Sequence, residues 1–534
     1  MGSRTNPSGR ATRIPFDLKA AQKPVFHALL EARDIFGGDT AALVDGDGRV
    51  LSYDEIIRAA FVLGDALKKG TRAGENIGVM LPTGMGAAIA FFALSAYGLV
   101  PAMLNFTTGE AGLKSALKTA QVKRIITAHR FIELGKFEDL KASLSRLCEL
   151  VYLEDVRAEL SLGNKLAALT GRLAPRAVAA KPSFKNPAVI LFTSGTEGEP
   201  KGVVLSHENI LANVAQVRAH IDLYDDDVLF NPLPVFHCFG LTVGIILPLI
   251  AGVKAVCHPT PLQPREIVQR IALSRATILL STDTFITQYA RAGEKDDLAS
   301  LRLAVCGAER VRDETRSLFR RKYEMDILEG YGVTEAAPVV AANQIEANRS
   351  GTVGRLMEGM EARLEPVEGI TEGGMLAVKG PNIMLGYLHA ENPGAIDPPP
   401  GGWYRTGDVV SIDEDGFITI RGRVKRFAKI GGETISLAVV ENCAAALWPD
   451  NHHAAIALPA PPQVHGSRGE EIVLVTDAAE ARRMDLVAWA QNHGVSATAI
   501  PRRILVIPAV PTLATGKTDY VAVEKLARAE MPLD

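Results

Sequence analysis

Apolar runs of strand length alternate with Ala- and Leu-rich stretches of helical texture through roughly the first 180 residues. NIGVML at 76–81 is one such run. A helical stretch near 84–97 follows it, and then RIITA at 124–128. This alternation predicts an α/β architecture. A polar, Ala- and Pro-rich connector occupies about 171–187, and the apolar strand AVILF at 188–192 leads straight into a glycine-rich loop. The rhythm continues at ATILLS (276–281) and LRLAVCGAE (301–309). From about 360 to 420 the texture changes to short β runs and Gly/Pro turns, as in MLAVKGPN and FITIRGR. A smaller α/β unit fits the remainder. The expected organisation is a large N-terminal body (1–424), a hinge near 421–429 and a small α+β C-terminal domain (425–534).

Val79 to Gly109 carries no charge and is long enough to span a bilayer. It is rich in Ala and Gly and is broken by Pro82 and Pro101, so it reads as a buried helix running into a buried strand. Phe236 to Val253 is likewise apolar, but His237, Pro248 and several glycines argue against a span. No secretory leader is read at the N-terminus. The expected location is cytoplasmic, with contact at the inner membrane left open.

The 534 residues are 47% hydrophobic and 22% charged, which excludes wholesale disorder. Lys and Arg (58) nearly balance Asp and Glu (61), so nothing global draws the chain to nucleic acid. Cys148, Cys238, Cys257, Cys306 and Cys443 are scattered, without CxxC pairing. They form neither a disulfide framework nor a zinc site, and suit a reducing compartment. The 48 glycines exceed ordinary usage, and their placement is informative.

The sharpest segment is Leu191-Phe-Thr-Ser-Gly-Thr-Glu-Gly-Glu-Pro-Lys-Gly202. Thr193, Ser194, Gly195, Thr196 and Gly198 follow a strand and can surround phosphate oxygens with N–H and hydroxyl groups, while Lys201 adds positive charge. The segment does not fit the Walker pattern. TSGTxGxPKG resembles the phosphate loop of the adenylate-forming superfamily, and the family's other signatures follow in order. Leu233-Pro-Val-Phe-His-Cys-Phe-Gly240 resembles the motif that sets His237 beside the acyl pocket. Cys306-Gly-Ala-Glu309 and Glu329-Gly-Tyr-Gly-Val-Thr-Glu335 resemble the adenine-binding strand and the loop after it. Tyr404-Arg-Thr-Gly-Asp408, Gly422-Arg423 and Pro511-Thr-Leu-Ala-Thr-Gly-Lys517 complete the set. Taken singly, His237 reads as a packed histidine, Asp408 as a turn aspartate, Glu335 as a helix cap and Lys517 as a surface lysine. Six motifs in order over 191–517 leave those readings little room.

The resemblance implies ATP and Mg²⁺ as cofactors. Gly307, Ala308, Glu309, Tyr331 and Gly332 are implied nucleotide contacts, Thr334 an α-phosphate contact and Glu335 the Mg²⁺ ligand. Asp408 and Arg423 would hold the ribose. Lys517 would be the catalytic lysine, Lys425 the hinge, and Lys429 would open the loop (KIGGETI) used in the second half-reaction. That reaction makes acyl-AMP and pyrophosphate, and then a thioester and AMP. No protein nucleophile is needed.

A closer similarity is to the synthetase half of the bifunctional 2-acylglycerophosphoethanolamine acyltransferase/acyl-ACP synthetases. It implies a medium- or long-chain fatty acid and, as partner, acyl carrier protein. The basic run Arg421, Arg423, Lys425, Arg426, Lys429 could steer such an acidic partner, or could serve only the hinge and ribose. Glu197 replaces a threonine of the superfamily loop, and Val439 replaces the first glutamate of a usual EIE, leaving Glu441. HxxxxD occurs at His220–Asp225 without an acyltransferase glycine motif, so a stand-alone synthetase feeding a separate downstream acyltransferase is expected. An acyl-CoA synthetase, an acyl-AMP ligase and a non-catalytic nucleotide- or acyl-binding protein are the competing readings.

Overall fold

The uncharged 79–109 segment illustrates how this chain builds its interior. In the computed structural model its centre is the helix Met85–Ala96, nearly every residue of which is buried, followed by the strand Val100–Met103, buried throughout. Small residues let the layers approach closely. A Cβ on Gly64, in the neighbouring helix Tyr53–Leu67, would lie 2.3 Å from the Tyr97 ring and 2.8 Å from the Ala93 carbonyl oxygen. The expected buried helix and strand are therefore what forms. No helix among the described residues is long and apolar enough to cross a membrane.

The structure describes residues 14–160, 174–194, 200–370, 372–430, 433–459, 470–513 and 517–530. The chain divides into two compact units. The first comprises Met1–Ser350, Leu356–Glu361 and Lys379–Tyr404, and the second Gly351–Arg355, Ala362–Val378 and Arg405–Asp534. Residues 405–424 thus group with the C-terminal part, and Lys425 lies inside the second unit, in the short turn Val424–Arg426.

Two mixed sheets dominate the first unit. In one, Ile327–Gly332, Leu303–Cys306, Ile278–Ser281, Val228–Asn231, Lys254–Cys257 and Ala41–Val44 run parallel in that order. In the other, Pro187–Ser194, Val100–Met103, Asn76–Val79, Arg124–Thr127 and Glu149–Tyr152 run parallel. Pro200–Ser206 and Gly386–His389 then extend that sheet antiparallel. Val, Ile, Leu and Ala fill these strands, most of whose residues are buried. The apolar 236–253 segment is a π-helical stretch, Phe239–Ile246, continued by the α-helix Leu247–Ala251.

The second unit carries a four-stranded sheet ordered Glu361–Glu365, Gly374–Lys379, Tyr404–Ile412, Ile418–Arg423. A hairpin, Phe427–Ile430 with Glu433–Ser436, follows. A three-stranded sheet (His453–Pro459, Glu470–Thr476, Arg503–Val506) packs with the helices Leu437–Leu447, Arg483–Asn492 and Tyr520–Glu530.

Candidate functional site

In the first unit, the strand Pro187–Ser194 returns as Pro200–Ser206, with Thr193 opposite Lys201 and Ser194 opposite Pro200. This antiparallel ladder brings the two arms of the glycine-rich loop side by side. Gly195, Thr196, Glu197 and Gly198 lie outside the described residues, as does the Ser194 side chain.

Glu335 sits in the 3-10 turn Thr334–Ala336, which Thr334 opens half-buried, and is itself 7% exposed. The Tyr387 hydroxyl donates to Glu335 Oε1 at 2.5 Å, and the Tyr404 hydroxyl lies 3.4 Å from that of Tyr387. Lys201 Nζ stands 5.5 Å from the centre of the Tyr387 ring. Burial, with the Glu335 charge beside it, pushes the Tyr404 phenol far above its usual range, so it stays a neutral donor. The motif residues Lys201 and Glu335 therefore meet around a tyrosine that the motif reading did not single out. Its position follows from the register that sets Tyr387 opposite Val203, information carried by long-range pairing rather than by local sequence.

Glu335 fits Mg²⁺: it offers hard carboxylate oxygens, and its second oxygen is not taken up by Tyr387. No cluster of three or more His, Cys, Asp or Glu that could cage a metal occurs among the described residues. A Mg²⁺ here would thus be held by one carboxylate together with ligand phosphates, which is its usual mode.

Gly307, Ala308, Tyr331 and Gly332 line a cavity, where sequence similarity assigns them to the nucleotide. Its other walls are aliphatic or aromatic, including Leu229, Phe239, Val243, Ile278 and Leu303. Among the described residues on its lining, Tyr331 is the one with a polar side chain. Gly332 is required sterically, since a Cβ there would sit 2.5 Å from the Pro338 carbonyl oxygen. Ala308 adopts a left-handed φ of 70°, a conformation a non-glycine residue holds only under constraint. The Glu309 carboxylate accepts from the Thr284 backbone N–H at 2.9 Å, which ties it to the start of a helix.

His237 follows Phe236, with ring centres 4.7 Å apart, and its carbonyl accepts from Leu241 N–H at the head of the π-helical stretch. Next to it, burial, with a smaller contribution from the nearby Glu335 charge, pushes the Cys238 thiol up to about 12. All five cysteines are buried, so none presents a reactive thiolate.

In the second unit Asp408 and Arg423 face each other across an antiparallel pair of strands, with Arg423 Nε donating to Asp408 Oδ1 at 2.8 Å. The sequence assigns both to ribose, and the structure makes them an ion pair. Thr512 and Thr518 form an antiparallel bridge, and the Leu513 N–H donates to the Lys517 carbonyl at 2.7 Å. Lys429 Nζ donates to Glu368 at 2.9 Å.

The basic run is largely engaged. Arg421 bonds Ser411, and Arg426 bonds Glu441 at 2.6 Å and the Ala455 carbonyl at 2.7 Å. The Arg426 guanidinium also stacks 3.6 Å from the centre of the Tyr520 ring, whose hydroxyl bonds Glu441 in turn. Arg426 is therefore a half-buried structural hub rather than an open steering charge.

The sequence pattern of the AMP-binding enzyme family matches residues 32–388. The chain is 27% identical over 505 residues to a medium-chain fatty-acid–CoA ligase of Escherichia coli (strain K12), covering 91% of this chain and 88% of that protein. It is also 27% identical over 493 residues to a feruloyl-CoA synthase of Amycolatopsis sp, covering 89% and 94%. Its fold resembles that of ATP-bound MatB from Rhodopseudomonas palustris (TM-score 0.80, 23% identity, 95% and 99% covered). An anthranilate CoA ligase, AuaEII, in complex with anthranoyl-AMP is similar in fold as well (TM-score 0.78, 22% identity, 97% and 99% covered).

Proposed function

The chain belongs to the AMP-binding enzyme family and is an AMP-forming acid–thiol ligase using ATP with Mg²⁺; from that premise we propose that it activates a medium- or long-chain aliphatic acid and passes it to coenzyme A. The apolar cavity carries this reading. A straight alkyl chain buries only carbon against Leu229, Val243, Ile278 and Leu303. A hydroxycinnamate such as ferulate would carry its ring hydroxyl into a wall whose described residues include a single polar side chain, and an unmatched buried hydroxyl is costly.

In the proposed cycle the acid's carboxylate attacks the α-phosphate of ATP and pyrophosphate leaves. Lys201 and the hydroxyl-rich arm at Thr193 neutralise and orient the phosphates, with Thr334 at the α-phosphate. Glu335 would hold Mg²⁺, which when bound would supply further charge neutralisation. Asp408 accepts from the ribose hydroxyls with Arg423 beside it, and Lys517 stabilises the charge that develops during adenylation. A rotation about Lys425 then withdraws Lys517 and brings the segment beginning at Lys429 into play for the thiol step.

Coenzyme A is supported as acceptor by the CoA ligases among the relatives and by the engaged state of Arg421, Arg423, Arg426 and Lys429. Acyl carrier protein is the second reading. The synthetase-like motifs favour it, as does Lys425, an exposed residue with no ion pair among the described residues. A separate acyltransferase consuming the product belongs to that reading. Product analysis with coenzyme A and carrier protein offered side by side separates the two. A predominant acyl-CoA product is expected, and a predominant acyl-carrier-protein product would transfer the assignment.

A further inference from the structure

Lys201 and Glu335 carry opposite charges and both reach Tyr387, and direct pairing would satisfy each with the other. Tyr387 offers both a different arrangement. Its hydroxyl occupies one oxygen of Glu335, at 2.5 Å. Its ring takes the Lys201 ammonium on its face, at 5.5 Å, and a contact with a ring face consumes no N–H donor. Among the described residues no hydrogen bond takes up the Lys201 ammonium, so its N–H groups can meet phosphate oxygens, and Glu335, which the Tyr404 side chain also bonds, keeps carboxylate lone pairs for a cation.

The backbone fixes this geometry. Tyr387 pairs with Val203, so Lys201 is its diagonal neighbour on the same sheet face. The Met384 N–H donates to the Glu335 carbonyl at 2.8 Å, tying the Glu335 turn to the start of the Tyr387 strand. Tyr404, from a separate strand, backs the Tyr387 hydroxyl.

We infer that Tyr387 is a positioning residue that keeps Glu335 and Lys201 apart and aimed, through its hydroxyl toward the metal side and through its ring toward the phosphate side. The inference rests on reading Glu335 and Lys201 as groups that face MgATP.

The test is ATP binding by titration calorimetry without any acid, and so without turnover, in the presence and absence of Mg²⁺. Tyr387→Phe keeps the ring and loses the hydroxyl bond. It should bind Mg-free ATP within about twofold of wild type while the affinity gained by adding Mg²⁺ falls about tenfold, the scale of a charged hydrogen bond. Tyr387→Leu should in addition weaken Mg-free ATP about fivefold, the scale of a cation–ring contact. Glu335→Gln is the control and should abolish the Mg²⁺ gain. If Glu335→Gln removes the gain but Tyr387→Phe leaves it intact, the inference on Tyr387 is wrong and the reading of Glu335 stands. If wild type shows no Mg²⁺ gain, or Glu335→Gln keeps it, the reading of Glu335 fails and the inference with it. Should Tyr387→Leu not fold, judged by circular dichroism, the Tyr387→Phe comparison alone decides.

Discussion

A few side chains carry both stability and chemistry, and their environments make distinct predictions. His207 is buried at the start of the helix His207–His220, where its Nδ1 accepts the Val25 backbone N–H at 3.2 Å. Burial pushes its pKa down from 6.5 to about 4, and His27 adds to the shift. The folded state therefore requires neutral imidazole. Its stability contribution is complete above the unfolded value and is lost as pH falls from 6.5 toward 4. Between pH 7 and pH 5 this one group should cost about 2 kcal/mol. Urea unfolding at the two pH values should show that loss in wild type and a smaller one in His207→Asn, whose side-chain oxygen can still accept from Val25. At Lys517, substitution by Ala should stop acyl-AMP formation while sparing thioester formation from supplied acyl-AMP. Equal loss of both steps in single-turnover assays would remove its assigned role.

At the scale of elements, the π-helical stretch Phe239–Ile246 is the piece that sets specificity in this account. It contributes Phe239 and Val243 to the cavity wall, along with strand residues such as Leu303 and Ile278. Val243→Phe adds volume inside a packed wall, so kcat/KM for long acids should drop tenfold or more while that for short acids is largely retained. A uniform loss over all chain lengths would show that Val243 acts through folding. Much of this level is legible in one sequence. The alternation of apolar runs announces the parallel strands, and the 79–109 stretch reads correctly as buried because Ala, Gly and two prolines suit packing rather than lipid. The motif residues are legible because their chemistry is local. Tyr387 and the Arg426–Glu441–Tyr520 hub are not, because each depends on partners tens to hundreds of positions away. The cavity role of Gly307 and Gly332 is hidden for the same reason: the walls come from five strands and three helical segments that only the fold assembles.

For the whole molecule, the groups proposed to act in adenylation are divided between two compact units. Lys201, Glu335 and the cavity lie in the first, and Asp408, Arg423 and Lys517 in the second. Such a division suits a reaction in two steps. Proline at Lys425 would fix φ in the Val424–Arg426 turn, and Lys425→Pro should therefore slow thioester formation more than acyl-AMP formation in single-turnover assays. Wild-type rates for both would place the joint elsewhere. The central claim is an ATP-dependent ligase whose acid pocket is built for a plain hydrocarbon chain. Acid-dependent ATP–pyrophosphate exchange, run across straight-chain fatty acids of increasing length alongside ferulate and 4-coumarate, tests it most directly. Robust exchange with medium- or long-chain acids and little with the hydroxycinnamates is the predicted result; exchange supported by the hydroxycinnamates and not by the fatty acids, or by no acid at all, would contradict it.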